Sequence, residues 1–189
     1  MNEVEIKAHV DAIGDKPLVG YHGNPTASGC VDGWCAAFLA TRRWPEAQLL
    51  PMQPGDEPLY ASCIGRDVLV LDCSYTREQL GHLREMSRSL LVLDHHLSAK
   101  RDLEGLDFCV FDMNRSGAGL ALDAFFPGWR RYFSEGSFEG FDANTGLCFP
   151  RFQGVEHVEL ALYVEDRDLW RTVRTGSREH SACLDTHPR

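Results

Sequence analysis

The chain has 189 residues, 43% of them hydrophobic, enough for one sizeable core and too few for two large domains. With 19 Lys and Arg against 28 Asp and Glu its formal net charge is −9, a repelling field that excludes long, sequence-blind adhesion to duplex nucleic acid but not a short nucleotide met through bound cations. The 7 cysteines are scattered without a CxxC pair, which argues against a disulfide scaffold or a zinc ribbon. No apolar run approaches membrane-spanning length.

The acidic start MNEVEIKAHVDAIGDK has neither the basic flank nor the apolar stretch of a signal peptide, so a cytoplasmic protein with reduced thiols is expected. Short apolar runs then alternate with helix-like stretches, the rhythm of βα units around a parallel sheet buried on both faces. LVGYH (18–22) is the first strand, and GCVDGWCAAFLATRRW (29–44) reads as a loop feeding a helix that ends at Trp44-Pro45. QLLPM (48–52) is a weak strand, which Pro51 confines to an edge.

DVLVLD (67–72) is a strong strand, followed by a helix over 76–89 with Thr76 as N-cap and Leu80, Leu83 and Met86 at helical spacing. LLVLD (90–94) and DFCVF (107–111) are further strands. RSGAGLALDAFFPG (115–128) is a helix capped by Ser116 and stopped by Pro127-Gly128. Residues 129–154 are rich in Gly, Pro and aromatics with little periodicity and read as an insertion, and VEHVELALYVEDRDLW (155–170) is a closing helix. The whole chain, 1–189, is expected to form one α/β domain: a sheet of about five parallel strands with helices on both faces.

The chemistry sits at strand ends. LVGYH ends at His22, VLVLD at Asp72, and LLVLD at Asp94 followed by His95 and His96. In an open parallel sheet the carboxyl ends of strands face a common crevice, so these residues converge although distant in sequence. One Asp after a buried strand often only caps the next loop. Two in succession, with two imidazoles behind the second, point to one site.

LVLDHHLSA strongly resembles the signature of the DHH phosphoesterase family, Mn²⁺-dependent phosphohydrolases that include RecJ-like nucleases, oligoribonucleases and family II pyrophosphatases. FDMNRSGAGLALDAFFPG and YVEDRDLWR resemble stretches of a bacterial and phage branch of that family, in the same order. The resemblance spans roughly residues 18–183 apart from 129–154. It implies a two-metal centre with His22, Asp32, Asp72, His95 and Asp166 as ligands and Asp72 bridging both ions. The cofactor implied is a pair of Mn²⁺ ions, with Mg²⁺ or Co²⁺ as alternatives. His96 is then the residue that faces the phosphate, as a charge stabiliser or proton carrier, and Asp94 orients the histidines. The activity implied is hydrolysis of a small phosphoester, such as a nucleotide or short oligonucleotide.

Arg115, Ser116 and Gly117 precede a helix N-terminus, where a cation and backbone amides could meet an anionic substrate group or simply cap the helix. Asp168 and Arg171 read better as a solvated helix end with i,i+3 pairing. Two departures from the family pattern stand out. Ten positions separate His22 from Asp32, and Cys30 stands where the first Asp would fall, as a small buried cysteine or as a thiolate ligand. Nothing after Leu184 resembles the family's C-terminal substrate-binding domain, so a homo-oligomer or another partner could complete the site. The alternative function is a non-catalytic or weakly active module that binds a nucleotide or a partner. A third, generic reading, a phosphate-handling α/β domain of another family, leaves Asp94-His95-His96 unexplained.

Overall fold

A computed structural model describes residues 1–24, 29–130, 141–142, 147–148, 155–171 and 174. Five strands form one parallel sheet: β1 (Leu18–His22), β2 (Gln48–Met52), β3 (Asp67–Leu71), β4 (Ser89–Asp94) and β5 (Cys109–Phe111). Their order across the sheet is β2-β1-β3-β4-β5. The helices are α1 (Glu3–Asp11), α2 (Val31–Arg43), α3 (Tyr60–Cys63), α4 (Arg77–Met86), α5 (Leu97–Asp102), α6 (Gly117–Phe125) and α7 (Val155–Asp168). A small antiparallel pair, β6 (Phe141–Asp142) with β7 (Leu147–Cys148), falls within the expected insertion, the rest of which past residue 130 lies outside the described residues.

Alternation along the strands explains the layering. Val19, Leu69, Leu71, Leu91 and Leu93 face one core with residues of α1, α2, α6 and α7, while Leu18, Val68, Val70, Leu90 and Val92 face a second core with α3, α4 and α5. Every residue of β3 is buried, as expected of a central strand covered on both faces. Pro51 lies in β2, at the sheet edge, where its missing N–H costs least.

Local caps fall where their chemistry demands. Thr76 and Gln79 form a reciprocal capping box on α4, and Ser116 caps α6 by accepting from the Gly119 amide. The acidic N-terminal stretch forms α1, which the sequence reading left unassigned; Asn2 and Glu5 make its capping box. Among the described residues the cysteines Cys30, Cys35, Cys63, Cys73 and Cys109 are free thiols, and no helix is long and apolar enough to cross a membrane.

At the amino ends of the central strands, Asp67 is buried and accepts from the Gly14 amide at 2.7 Å, Ser89 Oγ at 2.7 Å and Arg88 Nε at 2.8 Å. The Arg88 guanidinium outweighs burial and holds this carboxyl down at about 2, from an ordinary 3.8. A carboxyl depressed by folding contributes stability that is complete above its unfolded value and lost as pH falls through the folded one. Asp67→Ala is therefore expected to lower stability at pH 7 by about 2 kcal/mol. The gap to wild type should narrow between about pH 4 and 2, as chemical denaturation at each pH would show.

Candidate metal centre

Strand order places the crevice. The chain adds β2 on one side of β1 and then crosses to add β3 on the other, so the loops leaving β1 and β3 diverge and open a gap at their carboxyl ends. His22 closes β1, and Asp72 follows β3, one step beyond the paired residues Tyr21 and Leu71. Asp72 has φ +60, a left-handed conformation uncommon outside Gly, Asn and Asp. Its amide is held by the Leu93 carbonyl at 2.9 Å.

Asp72 is 1% exposed and its two oxygens look in different directions. Oδ1 lies 3.1 Å from His95 Nε2; Oδ2 accepts from Cys30 Sγ at 3.2 Å and lies 3.5 Å from His22 Nδ1. Burial raises its pKa, but the contacts with His22, His95 and Cys30 win and keep it ionised far below the usual range. Two helices close on this point because they carry glycine there. A Cβ on Gly33 of α2 would stand 2.1 Å from the His22 carbonyl, and one on Gly117 of α6 would stand 2.5 Å from the Asp72 Cβ.

Asp32, in the first turn of α2, is 2% exposed and is gripped by the start of α6. Its Oδ1 accepts from Ser116 Oγ at 2.7 Å and the Ala118 amide at 2.8 Å, and its Oδ2 from the Gly117 amide at 2.6 Å. Oδ2 also lies 3.6 Å from His95 Nε2, which is 3.7 Å from Asp168 Oδ2. Burial and the charges of Asp72 and Asp168 push the Asp32 carboxyl well above its ordinary value despite those donors. Asp168 is raised too, by burial first and Asp72 next. Burial pulls His95 down, but the hydrogen bond to Asp72 and the charges of Asp32, Asp72 and Asp168 bring it up to about 9.

Asp94 organises the histidine pair from below. Its Oδ1 accepts from the His95 amide at 2.7 Å, the His96 amide at 3.1 Å and His96 Nδ1 at 2.7 Å; its Oδ2 accepts from Ser74 Oγ at 2.6 Å. The hydrogen bond to Asp94 raises the His96 pKa, and, against burial, those from His96 and Ser74 lower that of Asp94. Nδ1 of His96 therefore carries a proton, and Nε2 is the ring atom left for other chemistry. Three overlapping groups of ligand atoms, each within 4.8 Å, result: His22, Cys30 and Asp72; Asp72, His95 and His96; Asp32, His95 and Asp168.

No protein-family model matches the chain. It is similar to an uncharacterized protein of Acanthamoeba polyphaga mimivirus, 26% identical over 129 residues, 58% of this chain and 29% of the viral protein. The crystal structure of an uncharacterized protein from Helicobacter pylori G27 shares the fold, with a TM-score of 0.61 at 15% identity over 89% of this chain and 48% of that one. The chain thus spans under a third of the viral protein and about half of the Helicobacter chain.

His22, Asp32, Asp72 and His95, expected as ligands, come together. Asp166 does not join them: it is buried, its Oδ2 accepts from the Arg174 amide at 3.4 Å, and it belongs to none of the three groups. Asp168 takes that place. Residues two apart on a helix point about 200° from each other, so only one of the pair can face the crevice. The expected solvated end at Asp168 is corrected accordingly. A signal was present in the sequence: Asp168 continues the stripe of Ala161, Val164 and Glu165 at i, i+3, i+4 and i+7.

Of the two readings of Arg115, Ser116 and Gly117, an anionic substrate group or a helix cap, the structure shows partners within the protein. The Arg115 guanidinium is turned inward, to Asp123 at 2.8 Å, Glu165 at 2.5 Å and the Gly119 carbonyl at 2.9 Å. Ser116 and Gly117 hold the Asp32 carboxylate, so the anion met by this helix start is a side chain of the protein itself. Ser74 and Glu165, which order the site through Asp94 and Arg115, carried no sequence signal beyond their type.

Proposed function

We propose that the chain is a divalent-metal-dependent phosphoester hydrolase acting on a small nucleotide or a short oligonucleotide. The observation that carries this reading is the meeting of His22, Asp32, Asp72, His95 and Asp168 at one rim of the sheet. The likeness of LVLDHHLSA and its companion segments to the DHH phosphoesterases supports it and supplies the reaction class.

The residues fit a pair of cations on two counts. Asp32, Asp72 and Asp168 crowd around His95, where burial and their mutual repulsion raise the carboxyls of Asp32 and Asp168, and His22 Nδ1 is shut off from solvent 3.5 Å from Asp72 Oδ2. Asp72 would serve both ions, with His22 and Cys30 beside its Oδ2 and, beside its Oδ1, His95, which also faces Asp32 and Asp168. A pair of Mn²⁺, Mg²⁺ or Co²⁺ ions, when bound, supplies an activated water and neutralises charge on the phosphoryl oxygens.

The chain's own groups do the rest. His96, about half exposed and fixed by Asp94, presents Nε2 to the mouth of the crevice, where an N–H can donate to a phosphoryl oxygen or pass a proton to the leaving oxygen. Asp94→Asn is expected to lower the His96 pKa toward the ordinary histidine value, seen by NMR titration of its ring proton. A loss of about 10- to 100-fold in hydrolysis should accompany it.

The reading is tested by incubating the chain with Mn²⁺, Mg²⁺ or Co²⁺ and a panel of short oligonucleotides, nucleotide 3′,5′-bisphosphates and cyclic dinucleotides. Release of phosphate or mononucleotide that stops on chelation is expected. Metal binding without turnover across that panel would overturn it in favour of a nucleotide-binding module. The substitution of Cys30 at a carboxylate position is the observation that favours this second reading.

A further inference from the structure

The two halves of the crevice that share Asp72 differ in donor chemistry. One offers only imidazole and carboxylate, from Asp32, Asp72, His95 and Asp168. The other is formed by His22, Cys30 and Asp72, whose ligand atoms lie within 4.8 Å of one another. Sγ stands 3.2 Å and Nδ1 3.5 Å from the same carboxylate oxygen. Around a four-coordinate Zn²⁺ with bonds of about 2.3 Å to sulfur and 2.0–2.1 Å to nitrogen or oxygen, tetrahedral angles separate neighbouring donors by about 3.3–3.5 Å. The two separations from Asp72 Oδ2 already stand close to those values.

Two features show that the arrangement is more than a cysteine filling space. The Cys30 side chain occupies the N-cap position of α2 without making a cap hydrogen bond, and its thiol is directed at Asp72 instead. His22 Nδ1 is buried and faces the same oxygen at 3.5 Å, too far for a good hydrogen bond and close enough for both atoms to reach one ion.

We infer that His22, Cys30 and Asp72 form a thiolate metal pocket that takes Zn²⁺ or Co²⁺ in preference to Mn²⁺ or Mg²⁺, beside a harder pocket of nitrogen and oxygen donors. The inference rests on the two-metal reading of the crevice and assigns the ion of one half. A soft sulfur donor favours the later divalent ions, whereas carboxylate, carbonyl and water suit Mn²⁺ and Mg²⁺. On binding, the S–H bond breaks, its proton leaves to solvent, and the electron pair it leaves on sulfur forms the metal–sulfur bond in place of the hydrogen bond to Asp72. The result is a mixed centre, with Cys30 setting which ion sits next to His22.

The test uses the full, metal-stripped chain titrated with Co²⁺ and followed by its near-ultraviolet thiolate-to-cobalt charge-transfer band, with Zn²⁺ and Mn²⁺ as competitors. Wild type should develop the band, and Zn²⁺ should erase it at concentrations at least about 100-fold below those of Mn²⁺. Cys30→Ser should bind Co²⁺ without the band. Cys30→Asp should also lack it and narrow the gap between Zn²⁺ and Mn²⁺ by about tenfold or more. Circular dichroism matching wild type confirms that both variants are folded, and each serves as the control for the other. Calorimetric Co²⁺ binding with no thiolate band, or a band that persists in both variants, overturns the thiolate pocket and leaves the two-metal reading standing. Absence of binding by Co²⁺, Zn²⁺ and Mn²⁺ alike overturns both.

Discussion

Asp72→Asn is expected to reduce metal-dependent phosphoester hydrolysis by about 1,000-fold or more, equivalent to about 4 kcal/mol of lost transition-state stabilisation. Asp72 is the carboxylate that reaches both halves of the crevice, His95 through one oxygen and Cys30 and His22 through the other. An amide keeps the shape but turns one of those oxygens into an N–H donor aimed at a cation position. The variant isolates chemistry from folding, because Asn tolerates the left-handed φ of +60 at this position almost as well as Asp does. Its thermal melt should stay close to wild type while phosphate release falls. His95→Ala should lose comparable activity, and the double variant little more than either single one, since on the proposed reading the two residues would hold the same centre. Activity within threefold of wild type in folded Asp72→Asn would remove Asp72 from the mechanism.

Arg115→Ala is expected to be the most destabilising of the substitutions considered, by about 3 kcal/mol, because it removes the buried partner of the Glu165 carboxylate and leaves it only the more exposed Arg171 at 3.3 Å and the Ser116 amide. Glu165 is already pushed up by burial and held down chiefly by the Arg115 charge. Its second oxygen accepts from the Ser116 amide at 3.2 Å, so the ion pair anchors α7 to the start of α6. Close packing allows no slack: a Cβ on Gly119 would fall 1.9 Å from the Glu165 carboxylate. For a domain of this size the loss corresponds to a melting temperature lower by roughly 10 °C. Arg115→Lys should recover only part of it, since an ammonium lacks the planar fork that serves Asp123, Glu165 and the Gly119 carbonyl together. A variant as stable as wild type but impaired with substrate would return Arg115 to the reaction.

The strands, α2, α4, α6 and α7 were legible in the sequence because each carries its own periodicity and punctuation: the apolar runs at 67–72 and 90–94, the Thr76 cap, the Pro127-Gly128 stop. The rim was legible too. Parallel strands that end in His22, Asp72 and Asp94 deliver those side chains to one edge whatever the helices do. The helix α1 was missed because its apolar residues Val4, Ile6, Ala8 and Val10 alternate with polar ones instead of recurring at helical spacing, and the Asn2 capping box starts it.

What the sequence left undecided concerns partners far apart in the chain. Asp166 and Asp168 are the same residue type two positions apart, and only the rotation of α7 against α2 and α6 turns the second toward His95. Arg115 beside a helix start suits an anion, and nothing local tells that the anion is Glu165, on α7, rather than a substrate. Likewise Asp32 finds its donors at Ser116, Gly117 and Ala118, across two closely packed helices. Residue type and spacing determined which groups were available and at which end of the sheet; the tertiary structure decided which of them meet at the crevice and which serve to hold the others, because the fate of a buried charge depends on the neighbours that packing brings to it.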